Sequence, residues 1–265
     1  MEFVLISQPH YKALDLRIKE LEEEIRIYQN QTTPERPYVV LRVDDIQDYT
    51  FRKGQLAIIE YSLAWDIPLT LGIIPNRFGE DADLVDAVSA AIEEGCEIAA
   101  HGWRHVDFTE YNLTEQARML QLSRDKLREV LNVNVTIMLP PYYQFNSDTL
   151  LAMKQTEYNV ISTSTEIGEV GPLSEGIVNI PATVELSVLI NDTWHLKDLE
   201  TIVLEIMQSV KRYGFAIIIV HPQELLDGDQ LDQSKFDIFK KLISLLDETY
   251  TFKTINELYS SVVSH

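Results

Sequence analysis

From Tyr38 to the end of the chain, short apolar runs alternate with longer stretches of helical pattern, which leaves few folds open. The runs are YVVLRV (38–43), PLTLGII (68–74), CEIAA (96–100), NVTIML (134–139), YNVIS (158–162), GIVNI (176–180) and FAIIIV (215–220), with a weaker one near TFKTI (251–255). Helical patterns fill most of the gaps, at 54–65, 82–94, 114–131, 196–213 and 234–248. Strands that alternate with helices pair in parallel and carry the helices outside the sheet, as a barrel or a doubly wound sheet. In both architectures the reactive side chains gather where the strands end, at their carboxyl edge.

The first 37 residues read differently. Leu14, Ile18, Leu21, Ile25 and Tyr28 recur at spacings of four and three, building one apolar stripe on a helix over 11–29. Two heptads are too few for an independent coiled coil. The stripe is expected to dock on the main domain, with pairing to a second copy, a homo-oligomer, as the alternative. NQTTPERP (30–37) is a polar, proline-bearing linker, so the chain divides into a helix and linker, 1–37, and a main domain, 38–265.

With 265 residues, 45% of them hydrophobic, the chain can bury a sizeable core. A formal charge of −20 argues against nucleic acid or an anionic membrane surface as a partner, since a polyanion would be repelled. The lone cysteine, Cys96, excludes an internal disulfide framework and suits a reducing compartment. The N-terminus has no basic region followed by a cleavage site, and no run approaches the ~18 apolar residues of a membrane span. The expectation is a soluble, cytoplasmic protein, or an extracellular one if a leader has been removed.

The strand ends carry the chemistry. The first run ends in Asp44 and Asp45, with Asp48 close behind. The third ends in His101, with His105 in the following loop. The fourth leads into LPPYYQFN (139–146), and FAIIIV ends in His221 and Pro222. Singly, each has a structural explanation: a loop start, a core histidine, a rigid turn. Together on one rim they make a divalent-metal site, in which one carboxylate and two neutral imidazoles leave positions open for water and substrate. Such an ion can acidify water or polarise a carbonyl. Adjacent aspartates on a strand point to opposite faces, so one is expected to ligate and the other to take a proton.

The order and spacing of these segments resemble the polysaccharide deacetylase (NodB-homology) superfamily, which includes chitin, peptidoglycan and xylan deacetylases. RVDDI (42–46) stands where the family has TFDDG, EGCEIAAHGWRH (94–105) matches its histidine-pair motif with the flanking strand, LPPY (139–142) replaces Arg-x-Pro-Tyr, and IVH (219–221) replaces Leu-x-His. The likeness covers residues 38 to 265. It implies a distorted (β/α) barrel of about seven parallel strands, preceded here by the N-terminal helix. It also implies a metal held by Asp45, His101 and His105, zinc first, with cobalt, nickel, iron or manganese as alternatives. By the same resemblance Asp44 is the base, His221 the acid, and the backbone N–H of Tyr142 a donor to the oxyanion.

The departures matter as much. Ile46 stands where the family has glycine, and Leu139 where it has the arginine that orients the base. Arg42, two residues before Asp44 on the same strand face, is a candidate substitute. The fourth motif of the family has no clear counterpart: ISTSTEIGE (161–169) occupies its region, and Trp194 and His195 lie further on. Trp103, Tyr142, Tyr143, Arg42 and Asn146 are candidate substrate contacts; Trp103 could equally be core and Asn146 a helix cap. The reading is a metal-dependent deacetylase acting on an amide nitrogen of a sugar and not on peptide bonds. A hydrolase of small acylated amides and a degenerate carbohydrate- or partner-binding barrel are the alternatives.

Overall fold

A computed structural model describes residues 36–190 and 193–263. The expected helix over 11–29 and most of the linker lie outside those residues. Nine of the apolar positions between Val39 and Leu71 are wholly or almost wholly buried, and hiding one Val or Leu side chain is worth about 1.5–3 kcal/mol, so these runs decide where the chain pairs. Strand β1 (Tyr38–Ile46) lies centrally, between β2 (Leu69–Ile73) and the later strand Phe215–Val220. From β2 the sheet continues in parallel through β3 (Glu97–Ala100), β4 (Ile137–Met138) and β5 (Val160–Ile161).

Beyond β5 come a short antiparallel strand β6 (Gly171–Pro172), then β7 (Val178–Asn179) and β8 (Val184–Glu185). These last two are parts of one extended segment that closes the molecule. Val178 and Asn179 pair with β5, Ala182 bridges to Ser164, and Val184 and Glu185 pair with Ile218 and Ile219. The sheet therefore curls into a distorted barrel. A hairpin of β9 (Ser187–Ile190) and β10 (Thr193–Leu196) follows, and then β11 (Phe215–Val220). The last strands are a small pair, β12 (Leu226–Asp227) and β13 (Gln230–Leu231), and β14 (Thr251–Phe252), which adds to β1.

Helices α1 (Arg52–Ala64), α2 (Ala82–Glu93), α3 (Leu113–Leu131), α4 (Ser147–Gln155), α5 (Leu199–Tyr213) and α6 (Gln233–Thr249) fill the connections. Five of the six start on a side chain that accepts a backbone N–H: Asp81, Asn112, Asn146, Asp198 and Asp232. Strand alternation sorts the apolar residues into two layers. Val39, Leu41, Val43, Ala216 and Ile218 pack outward against helix residues such as Ile58, Leu84, Leu120 and Ile206. Val40, Ala99, Ile137, Leu139, Ile217 and Ile219 fill the interior, joined by Ile255 and Leu258 of α7 (Ile255–Val263). That helix stops the amino-terminal mouth, where the Ile255 and Asn256 N–H groups donate to Thr70 and Glu97. The carboxyl-terminal mouth stays free for chemistry.

Several expected strands are shorter than the apolar runs that announced them: β4 and β5 keep two residues each. The helix expected from 196 begins at Leu199, because Asp198 caps it. Among the described residues, no helix is long and apolar enough to cross a membrane.

Candidate metal and catalytic site

β1 ends in an irregularity that sets up the site. Its register against β2 shifts between Val43 and Ile46, and Asp45 takes a positive φ of 60°, a conformation that aspartate tolerates better than most residues. Ile46 then resumes pairing, opposite Ile73, and is fully buried. The residue in the glycine position is therefore not the one that turns; Asp45 absorbs the turn. Asp44 keeps the inward face it shares with Arg42, while Asp45 swings to the rim.

Arg42 grips Asp44 with two bonds, Nε to Oδ1 at 2.8 Å and Nη2 to Oδ2 at 2.5 Å. Its remaining nitrogen donates to the carbonyl (2.8 Å) and hydroxyl (3.2 Å) of Ser162. Arg42 is 0% exposed, so it supports Asp44 and is out of reach of substrate. Burial alone would push the Asp44 carboxyl up; the guanidinium, with His101 and His221, overrides it and holds the group below its ordinary range. Leu139 is a close neighbour: a Cβ built on Gly72 would lie 2.7 Å from the Leu139 Cδ1 and 2.9 Å from the Asp44 Oδ1. A leucine thus fills the place of the expected arginine, and the cation comes from β1 itself.

His101 follows β3, and its Nδ1–H donates to the Leu139 carbonyl at 2.9 Å, which leaves the Nε2 lone pair free. That Nε2 lies 3.4 Å from the Asp45 Oδ1, and the His105 Nε2 lies 3.5 Å from the same oxygen. Gly102 (φ 68°) makes the tight turn between the two rings; a Cβ there would come 2.8 Å from the Arg104 carbonyl. The His105 ring meets the Tyr142 ring edge-on, with centroids 4.6 Å apart. Burial, then His101, holds the His105 pKa below its usual value, so the ring stays neutral as ligation requires.

The donor set fits a metal ion. The Asp45 Oδ1 is buried without a hydrogen-bond partner, while its Oδ2 accepts from the Gln223 side chain at 2.8 Å. An acceptor nitrogen facing a carboxylate oxygen is repulsive unless a cation lies between them. Ligands about 2.0–2.2 Å from a tetrahedral ion stand roughly 3.3–3.6 Å apart, and the two separations here are 3.4 and 3.5 Å. All three ligand atoms lie within 4.8 Å of one another.

His221 follows β11. Its Nδ1 bonds the Glu224 Oε1 at 3.0 Å, and its backbone N–H donates to Oε2 of the same carboxylate. Burial would lower the ring's pKa, but Glu224, with help from Asp44 and Asp45, raises it to about 9. Trp194 of β10 stacks on the ring, centroids 5.3 Å apart and planes at 28°. Trp194 and Glu224 thus both hold the His221 ring in place. Glu224 escaped the sequence reading altogether; its one signal was a position three residues after a strand-ending histidine.

The remaining expected contacts divide. Tyr142, 58% exposed with a positive φ of 57°, stands at the rim beside His105. Tyr143 turns inward, donates its hydroxyl to Glu185 at 2.9 Å and lays its ring by the Arg42 guanidinium. Trp103 is half-buried against the outer core. Asn146 completes a capping box with Thr149 at the start of α4, so its side chain is already engaged. A cleft of about 390 Å³ opens beside Asp45 and His105, lined also by Gln47, Arg77, Arg104 and Gln223.

The family model for polysaccharide deacetylases matches residues 31–161. Among solved structures the chain is similar to a Mycobacterium smegmatis protein provisionally described as a polysaccharide deacetylase (TM-score 0.66, 14% identity, 88% of this chain and 93% of that one). It is also similar to a family 4 acetyl xylan esterase from Clostridium thermocellum in complex with a cobalt ion (0.58, 13%, 84% and 90%). A third similar structure is a family pseudoenzyme from Bacillus anthracis (0.58, 15%, 85% and 66%). A search of curated proteins finds no match to the sequence.

Proposed function

The chain is a divergent member of the polysaccharide deacetylase superfamily, and from that premise we propose that it is a metal-dependent hydrolase removing an acetyl group from an amide nitrogen of a sugar. The observation that carries this reading is the partnerless Asp45 Oδ1, facing two imidazole nitrogens, with an ionised Asp44 next to it in the chain. Asp45, His101 and His105 would hold the ion, whose contribution is Lewis acidity toward water and the acyl oxygen.

The chain's own residues then divide the proton traffic. Asp44, kept ionised by Arg42, takes a proton from the attacking water. The exposed rim at Tyr142 offers its backbone N–H to the oxygen that gains charge as the carbonyl carbon becomes tetrahedral. His221, held protonated by Glu224, gives its proton to the nitrogen as the carbon–nitrogen bond breaks. The products are acetate and the free amine.

The test pairs two substitutions. Asp44→Asn should cut acetate release from N-acetylglucosamine oligomers at least about 100-fold while leaving bound metal unchanged by elemental analysis. Asp45→Asn should lose both. Release from small acyl amides but not from oligomers would move the activity to the non-sugar class. The likeness to a pseudoenzyme favours a second reading, a sugar-binding barrel without turnover. Native protein that carries metal and binds oligomers yet releases no acetate would establish it.

A further inference from the structure

Arg77 and Arg104 line the cleft beside Asp45 and His105, and neither has a carboxylate partner among the described residues. Other arginines of the chain are satisfied in this way: Arg42 by Asp44, Arg52 by Asp81 and Asp83, Arg124 by Glu157. Acidic residues outnumber basic ones 42 to 22, so two uncompensated guanidiniums in one cleft reverse the local charge. Apart from the candidate metal ligands Asp45 and His105, the rest of the lining is uncharged: Gln47, Thr50, Gln223 and apolar side chains.

Both arginines stand on anchored backbone. The Asp48 N–H donates to the Arg77 carbonyl, and the Asn76 N–H reaches the Trp103 carbonyl, tying the two arginine-bearing loops together. Arg77 spends one nitrogen on Gln47, at 3.3 Å, and keeps the rest of its fork. A second cleft also touches Arg77, but there Asp48 and Glu80 offset Arg77 and Lys126, so an anion is favoured on the Arg104 side.

We propose that the acylated sugar taken by this site bears an oxyanion, a carboxylate or a phosphate ester, received by Arg77 and Arg104 while the acyl group lies at the metal ligands. A planar guanidinium binds either group through two parallel N–H bonds. The proposal rests on the deacetylase reading and adds the charge class of its substrate. The −20 surface repels long polyanions, so the anion is isolated on a largely neutral sugar and not repeated densely along it.

The test uses the full chain with Asp44→Asn, zinc-loaded, so that binding is read without turnover. Calorimetry compares the neutral N-acetylglucosamine tetramer with the same tetramer oxidised to a carboxylate at C6 and with its C6 phosphate. One or both anionic forms should bind about tenfold tighter, a ratio equivalent to 1.4 kcal/mol, and the preferred form identifies the group. Arg77→Gln and Arg104→Gln should each shrink that ratio several-fold, whereas Arg118→Gln on the outer surface should leave it unchanged. Equal binding of neutral and anionic tetramers, or a ratio insensitive to both arginines, overturns the inference while leaving deacetylation standing. Binding of none of the three, with no acetate released by the native chain, overturns the sugar reading and this inference with it.

Discussion

Arg42 and Asp44 stand two residues apart on one strand face, both buried, and the pair is worth most when considered from its loss. Removing one member of a buried ion pair strands the other, at a cost of about 3–5 kcal/mol. Arg42→Leu should therefore lower the unfolding free energy by about that much in denaturant titration, and the Asp44 carboxyl, with only His101 and His221 left to oppose burial, should titrate at higher pH than in the native chain. In Arg42→Thr, adding Leu139→Arg should restore part of both, because the Leu139 side chain and the Asp44 carboxylate border the same point beside Gly72. His221 gives the second prediction at this scale. Its acid form persists below a pKa of about 9, so kcat/KM should fall as the pH rises through that value. The stability that the raised pKa contributes is complete below about 6.5 and is lost over the same rise. Glu224→Gln removes the largest influence that opposes burial, so the fall in kcat/KM should move to lower pH. A fall that stays near pH 9 would detach Glu224 from the acid. Arg42 was legible because i and i+2 share a strand face. Glu224 was not, since no apolar period carries it and only the short 3-10 helix Pro222–Leu225, capped by His221, brings its carboxylate back to the ring.

At the scale of elements, the end of β1 decides which aspartate does what. The expectation that the two carboxylates diverge followed from strand alternation, but the device that parts them, a register shift with positive φ at Asp45, could not be read from a position where glycine was expected and isoleucine stands. The short strands β4 and β5 were legible as apolar runs, though not in length, because most of each run pairs too briefly to count as ladder. The hairpin β9–β10 went unread: Val188, Leu189 and Ile190 are exposed on it, so it lacks the buried face that makes a strand visible in sequence. Yet it supplies Trp194 to His221. Gly72 of β2 joins strand packing to chemistry. Gly72→Ala would press a methyl group against Leu139 and the Asp44 carboxylate, and overpacking of this kind costs about 1–3 kcal/mol. It should lower kcat more than it changes KM, with metal content intact. Loss of metal instead would mean that the strain is relieved through Asp45.

Over the whole molecule, the barrel brings together residues far apart in sequence: one segment, Val178–Glu185, pairs with β5 and then β11, which sets the β11 end, with His221, on the same mouth as His101 and Asp45. Strand–helix alternation made the architecture legible, but closure through a segment split between two neighbours is a tertiary event without a local signature. The candidate ion would bridge the end of β1 to the loop after β3, and an ion that binds only the folded chain stabilises it by about 2.7 kcal/mol at a hundred times its dissociation constant. Thermal unfolding of metal-free protein should therefore shift upward on adding zinc and return on chelation. The acidic surface, at −20 overall, will also gather cations weakly, so the variants separate the two effects. Asp44→Asn should keep the full shift, because Arg42 and not the ion is the partner of Asp44. Asp45→Asn should keep only the weak, salt-screened part. An undiminished shift in Asp45→Asn would place the stabilising ion elsewhere on the acidic surface and leave the two imidazoles without the cation that their geometry calls for.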